Sequence, residues 1–186
     1  MDLGCYDGRD SELFLKQGNK VYGIEILSFP AEQAEARGVK VERFDLNKPH
    51  RPLEKEFFDV VVAGEIIEHV LSADSFLENI YQVLKPSGML VLSTPNLASL
   101  GRRLLLLLGK NPFVEVSELT DVNKVPAVGH VRYFTKGSLT RLLWAHGFDP
   151  LEITSDCFVL GPLGSVFLAK LFPSLSWRLV VKAEKK

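Results

Sequence analysis

Cysteine is scarce in this chain: only Cys5 and Cys157 occur in 186 residues, far apart and in no metal-ligand spacing. That excludes a cysteine-based zinc cluster and a disulfide scaffold, and makes a reducing cytoplasm the expected setting. Charge of one sign is equally lacking, with 22 Lys+Arg against 23 Asp+Glu and a formal net charge of −1. Such a balance gives no bulk attraction to nucleic acid or to an anionic membrane. The longest apolar run, Leu104 to Leu108, is far shorter than the roughly 20 residues a membrane-spanning helix needs. No repeat or low-complexity stretch interrupts the sequence. No leader is expected either, because Met1 already reads as part of the first strand. What is present is 46% hydrophobic residues, enough for one sizeable core, so residues 1–186 are expected to form one domain.

Within it, strand-like and helix-like runs alternate. KVYGIEI (Lys20 to Ile26) is rich in β-formers; Pro30 and AEQAEARG follow, with Gly38 as a stop. KVERF (Lys40 to Phe44) is a short strand. FFDVVVA (Phe57 to Ala63) and MLVLST (Met89 to Thr94) are near-continuous apolar runs of the kind buried on both faces. Between them Asp74 is positioned to cap a helix over 75–84, which Pro86 and Gly88 close. Thr135 caps GSLTRLLWAHG, and strands follow at Leu151 to Thr154 and Arg178 to Ala183. This alternation predicts an α/β fold: a Rossmann-like, mostly parallel seven-stranded sheet with helices on both faces and a shortened first strand. Residues 97–132 break the rhythm and are expected to be an insertion on the ligand side. In such sheets ligands bind beyond the carboxyl ends of the strands.

The opening MDLGCYDGRD places Gly4 and Gly8 around Cys5, Tyr6 and Asp7 in a strand-to-helix turn. Glycine turns tightly and lets a ligand approach backbone amides. The dinucleotide pattern G-x-G-x-x-G is missing, since Tyr6 and Arg9 stand at two of its glycine positions, and no G-K-S/T follows. An NAD or nucleotide-sugar enzyme and a nucleotide hydrolase are therefore disfavoured. Glu25, seventeen positions after Gly8, ends the second strand where a carboxylate can accept both hydroxyls of a ribose. Asp45, after the third strand, sits where a side chain meets an adenine edge. Each carboxylate alone reads as a solvated loop residue. In this order and spacing they describe an adenosyl pocket.

DLGCYDG, GIEI, FDLN, FFDVVVAGEIIEHV and LKPSGMLVLSTPN together resemble the successive motifs of class I S-adenosylmethionine-dependent methyltransferases. The nearest likeness is to the branch with ubiquinone-biosynthesis O-methyltransferases and many bacterial cell-surface methyltransferases. HVRYFTKGSLTRLLWAHGF is similar to a stretch that such proteins carry before their sixth strand. The resemblance implies S-adenosyl-L-methionine as cofactor, with Asp2, Gly4 and Gly8 holding its methionine part. It gives Glu25 the ribose hydroxyls, Asp45 the adenine amino group, and the backbone near Ala63 and Gly64 the α-ammonium. Cys5, Ile26 and Leu46 line the same pocket on this assignment. The family usually has glycine where this chain has Tyr6. Its first strand also begins several residues earlier, after a helix, so a truncated start is expected here.

Methyl transfer from a sulfonium needs mainly an acceptor held in line with the methyl group, an effect worth up to about 7–11 kcal/mol. A base for the acceptor proton adds about 10²–10⁴-fold. The candidates lie in GEIIEHV, where Glu65, Glu68 and His69 share one face if the turn is helical. His69 and a later His130 are the candidate bases. Glu65, Glu68, His69 and His130 also make a mixed oxygen and nitrogen donor set for a divalent metal. That E-x-x-E-H pattern is similar to the metal-supported small-RNA 2′-O-methyltransferases and to some quinone O-methyltransferases. The bland alternative is that Glu68 caps or pairs and His69 only closes the pocket.

The acceptor is expected to be a small-molecule or lipid- or sugar-linked hydroxyl. LASLGRRLLLLLGK and FVLGPLGSVFLAKLF read either as lid helices or as the approach of a greasy acceptor at a membrane surface, with at most peripheral contact. No basic stripe or aromatic ladder for RNA is present. A degenerate, non-catalytic S-adenosylmethionine-binding module stands as the rival reading, and oligomeric state is not legible.

Overall fold

In the computed structural model, which describes residues 1–48, 55–112, 129–156, 158–160 and 163–186, a sheet of seven strands carries the fold. Its strands are β1 (Asp2–Leu3), β2 (Tyr22–Ile24), β3 (Lys40–Glu42), β4 (Phe58–Gly64), β5 (Leu84–Pro95), β6 (Phe148–Thr154) and β9 (Arg178–Lys185). They lie in the order β3-β2-β1-β4-β5-β9-β6. β9 runs antiparallel to both its neighbours, and the pairs from β3 through β5 are parallel. The helices are α1 (Arg9–Lys16), α2 (Ser28–Ala36), α3 (Ala73–Val83), α4 (Leu100–Leu107), α5 (Lys136–Ala145) and α6 (Val166–Leu171). This is the mostly parallel, helix-covered sheet that the alternating runs predict.

β4 and β5 form the centre because their β-branched and leucine runs are apolar on both faces. Val61, Ala63, Leu90 and Leu92 are fully buried there. α3 covers one face with Phe76, Leu77, Ile80 and Val83, each contributing roughly 1.5–3 kcal/mol of apolar burial. Its cap differs from the expected one: the Ser72 side chain accepts from the Ser75 amide, and the helix starts at Ala73. Asp74, the second residue of the helix, instead bonds the His146 ring at 2.8 Å. Thr135 does cap α5, in a reciprocal box with Ser138.

The second difference lies in the tail. The stretch after β6 folds as a strand pair, β7 (Phe158–Leu160) and β8 (Leu163–Ser165), followed by the short α6 and a 3-10 turn over Pro173–Leu175. α4 supplies the only described helix of the 97–132 segment, and residues 113–128 and Cys157 lie outside the described residues. Asn96, at the carboxyl end of β5, ties these parts together. Its side-chain amide donates to the Ser174 and Ser176 carbonyls, and its carbonyl accepts from Arg102 Nη1 at 3.1 Å. Among the described residues, no helix is long and apolar enough to cross a membrane.

Candidate active site

The loop after β1 is shaped by two glycines that admit no side chain. Gly4 has φ +71°, and a Cβ there would come within 2.2 Å of Ile66 Cδ1. Gly8 has φ +75°, and a Cβ would meet the Ala34 backbone at 2.9 Å. Tyr6, between them, also adopts a left-handed φ of 46°, which costs a non-glycine residue about 1–2 kcal/mol. The tyrosine ring is 60% exposed.

Glu25 explains how that conformation is held. Its Oε2 accepts from the Tyr6 amide at 3.0 Å and its Oε1 from the Leu27 amide at 2.8 Å. The carboxylate therefore clasps the glycine loop to the end of β2, and each oxygen keeps a second lone pair for another donor. Ile26 beside it is exposed. Asp2 is buried and accepts from Ser11 Oγ at 2.6 Å, so its carboxyl anchors α1 to β1, and burial holds its pKa above the usual range. Cys5 is a buried thiol pushed up to about 12 by desolvation and then by Asp2 and Glu25, which makes it a packing residue rather than a nucleophile. Asp45 receives the Asn47 amide at 2.9 Å, a local turn that leaves its second oxygen available; Leu46 packs on the core. Ala63 is buried in β4 and Gly64 ends the strand, exposed.

The turn after β4 carries the second cluster. Ligand atoms of Glu68, His69 and His130 all lie within 4.8 Å of one another. The two imidazoles meet edge to face at 4.7 Å, with Tyr133 next to His130. The 130–134 segment is strapped onto this turn by the Val131 amide to the Glu68 carbonyl, 2.9 Å, and by Arg132 Nη2 to the Leu71 carbonyl, 2.6 Å. Glu68 is 1% exposed; Thr94 Oγ1 donates to its Oε2 at 3.0 Å, and its Oε1 has no hydrogen-bond partner. Burial, reinforced by the charge of Glu65, lifts the Glu68 carboxyl to about 7.

Glu65 corrects the four-residue expectation. It leaves the cluster because the chain turns at φ +54° there, and its carboxylate is engaged elsewhere. Ser93 Oγ donates to Glu65 Oε1 at 2.8 Å, and Arg178 Nε lies 3.4 Å away, itself linked through Nη1 to Asp156. A helical i, i+3 spacing would have aligned Glu65 with Glu68; the left-handed residue breaks it. Ser93, Thr94 and Arg178 are site residues that sequence reasoning missed. Arg178 arrives from β9 opposite Pro95, a pairing no local pattern announces.

Three donors remain for a cation. A buried carboxylate, one of whose oxygens has no hydrogen-bond partner, together with two imidazoles is a donor set that suits a divalent transition metal. The residues present fit such an ion.

A parallel sheet ordered 3-2-1-4-5, with an antiparallel strand beyond it and a glycine loop clasped by a carboxylate at the end of β2, defines the Rossmann-like methyltransferase class of fold. Residues 1–153 match the family model described as a methyltransferase domain, and the chain belongs to that family. It is 28% identical over 151 residues to a protein of Mycolicibacterium smegmatis named a probable S-adenosylmethionine-dependent methyltransferase, covering 80% of this chain and 51% of that one. It is 35% identical over 107 residues to the ubiquinone biosynthesis O-methyltransferase of Haemophilus ducreyi, covering 52% of this chain and 44% of the relative. The chain thus spans about half the length, or less, of these relatives. In fold it is similar to the Burkholderia thailandensis 1,6-didemethyltoxoflavin-N1-methyltransferase, solved with 1,6-didemethyltoxoflavin and S-adenosylhomocysteine (TM-score 0.63, 18% identity, covering 100% of this chain and 69% of that one).

Proposed function

We propose that this chain binds S-adenosyl-L-methionine over the carboxyl ends of β1, β2 and β4 and transfers its methyl group to a hydroxyl of a small-molecule, lipid-linked or sugar-type acceptor. The observation that carries the reading is the Glu25 clasp. A buried carboxylate braces the glycine loop from behind while two lone pairs remain for ribose hydroxyls. Gly4 and Gly8 leave room for the methionine portion, Asp45 and Leu46 stand at the adenine end with Ile26, and Cys5 and Asp2 support the loop from inside. Ala63 and Gly64 bring the backbone at the end of β4 to the α-ammonium. The O-methyltransferase relatives support a hydroxyl acceptor, and the buried Cys5 thiol is in keeping with a cytoplasmic setting.

His69 and His130 face the acceptor side, and one imidazole takes the acceptor proton as methyl transfer proceeds. Glu68 beside them orients that pair. Its raised pKa means that it alternates between an acceptor and a donor of hydrogen bonds near neutrality. A second reading is favoured by the unmet Oε1 of Glu68: Glu68, His69 and His130 hold a divalent ion. When bound, such an ion supplies Lewis acidity that lowers the pKa of an acceptor hydroxyl. Isothermal calorimetry with S-adenosylhomocysteine, with NAD as control, tests the cofactor. Tritiated-methyl transfer to cell extract, with and without chelator, tests turnover and metal together. Binding of NAD in preference to S-adenosylhomocysteine would overturn the assignment. Activity indifferent to chelation would leave the imidazole as base and remove the ion.

A further inference from the structure

Tyr6 holds a strained conformation from which the fold gains little. The Gly8 amide donates to the Cys5 carbonyl at 2.9 Å, so residues 5–8 form a β-turn with Tyr6 at its first central position, at φ +46°. A positive φ at that position belongs to turns dominated by glycine, asparagine and aspartate, because a Cβ crowds the backbone there. A side chain offsets such a cost by packing or by hydrogen bonding. This ring stands mostly in solvent, and among the described residues no other ring pairs with it and nothing bonds its hydroxyl. Only its backbone amide is engaged, on Glu25 Oε2.

Strained residues of this kind collect where a ligand is held, and the surroundings of Tyr6 identify the ligand. The turn is fixed on both sides of the ring: Glu25 takes the Tyr6 amide, and Arg37 Nε donates to the Asp7 carbonyl at 2.9 Å. Glu25 also takes the Leu27 amide, so Tyr6, Leu27 and the neighbouring Ile26, all exposed, come to the rim of one carboxylate. On the methyl-transfer reading above, that carboxylate receives the ribose, and Gly4 and Gly8 receive the methionine portion. The sulfonium joins those two parts, within reach of a tyrosyl ring carried between them. An aromatic face attracts a cation and gains nothing comparable from a neutral thioether. We propose that Tyr6 is a cofactor-contacting residue, resting on that reading, whose ring covers the sulfonium and favours the charged cofactor over its demethylated product. The contact weakens as the methyl group leaves, because transfer discharges the sulfur, and this assists exchange of product for fresh cofactor.

Calorimetry of the full chain with S-adenosyl-L-methionine and with S-adenosylhomocysteine tests it. The two ligands share adenine, ribose, ammonium and carboxylate, so the ratio of their dissociation constants isolates the methylated sulfur. Tyr6→Leu keeps an L side chain on the same backbone and removes the aromatic face. It should shift the ratio about two- to fivefold toward S-adenosylhomocysteine. Tyr6→Phe keeps the face and should hold the ratio within about twofold of the parent. Tyr6→Gly should shift it as leucine does while raising the melting temperature by about 1–4 °C, since glycine relieves the dihedral. An unchanged ratio in Tyr6→Leu, or an equal shift in Tyr6→Phe, overturns the proposal. So does a Tyr6→Gly chain that melts below the parent, because the ring would then serve the fold. Binding of neither ligand by the parent sinks the methyl-transfer reading itself, whereas binding of both with an unmoved ratio sinks only the role of Tyr6.

Discussion

Replacing Glu25 by alanine perturbs two things at once, and the structure allows them to be separated. The first is the clasp: two hydrogen bonds to a charged acceptor are lost, from the Tyr6 and Leu27 amides. Such bonds are worth about 1.5–3 kcal/mol each. Tyr6 and Leu27 are 60% and 55% exposed, so water reaches their amides once the carboxylate is gone. A net loss of about 1–3 kcal/mol is expected, which lowers the melting temperature by roughly 2–4 °C per kcal/mol in a chain of this size. The sequence alone would leave the fold untouched by this change. The second effect is on the ribose. Losing even one charged hydrogen bond costs about tenfold or more in Kd. To tell a lost ribose bond from a loosened loop, calorimetry should compare S-adenosylhomocysteine with its 2′,3′-dideoxy analogue in both proteins. The parent should discriminate between the two ligands by at least about tenfold, and Glu25→Ala should not, a double-mutant-cycle logic. Equal discrimination by parent and variant would refute the assigned pocket, whatever happened to the melting temperature.

The other expectations follow from single contacts. Gly4→Ala should destabilise by about 1–2 kcal/mol from its backbone alone, and by more from the collision with Ile66; Ile66→Ala in the same chain should relieve only the collision, as chemical denaturation will read. Ser72→Ala should cost about 1 kcal/mol of stability and Asp74→Ala distinctly less; the reverse order would mean that the cap was assigned wrongly. Glu68 binds a proton more tightly in the folded chain, so its contribution is fully present below its ordinary pKa of 4.5 and is lost as pH rises through about 7. The loss approaches about 3 kcal/mol, and Glu68→Gln should abolish it, flattening stability over that window. A bound divalent ion should reverse this slope in the parent, raising its melting temperature at pH near 8, and should do so neither in Glu68→Gln nor in His130→Ala.

How far the sequence could be read depended on how local each cause was. The β4 and β5 strands were legible because runs such as FFDVVVA and MLVLST carry their burial in their own composition. Gly4 and Gly8 were legible as a turn, yet their necessity was not. It comes from Ile66 and Ala34, which are distant in sequence. Asp74 reads as the α3 cap from sequence because Ser72 and Asp74, two positions apart, both have capping chemistry, and only the position where the backbone turns helical decides between them. β7, β8 and α6 were obscured for a different reason. Their residues are apolar nearly throughout, so no periodicity separates an inward from an outward face.

The turn after β4 shows the limit most clearly. E-x-x-E-H suggests one helical face, and the inference is sound only if every residue of the turn is right-handed. Glu65 is left-handed, and that one dihedral sends its carboxylate to Ser93 and Arg178 while Glu68 and His69 go on to meet His130. The two acids therefore have opposite environments. Glu65 faces a guanidinium, whereas Glu68 is desolvated, bonded on one oxygen by Thr94, and unmet on the other. Two carboxylates held apart in this way are free to take different work. Glu65 joins the end of β4 to β9 through Arg178, and Glu68 brings a desolvated carboxyl, raised to about 7, next to the two imidazoles. The residue that a motif match would rank as an equal ligand is thus a brace, and the turn brings three side chains together instead of four.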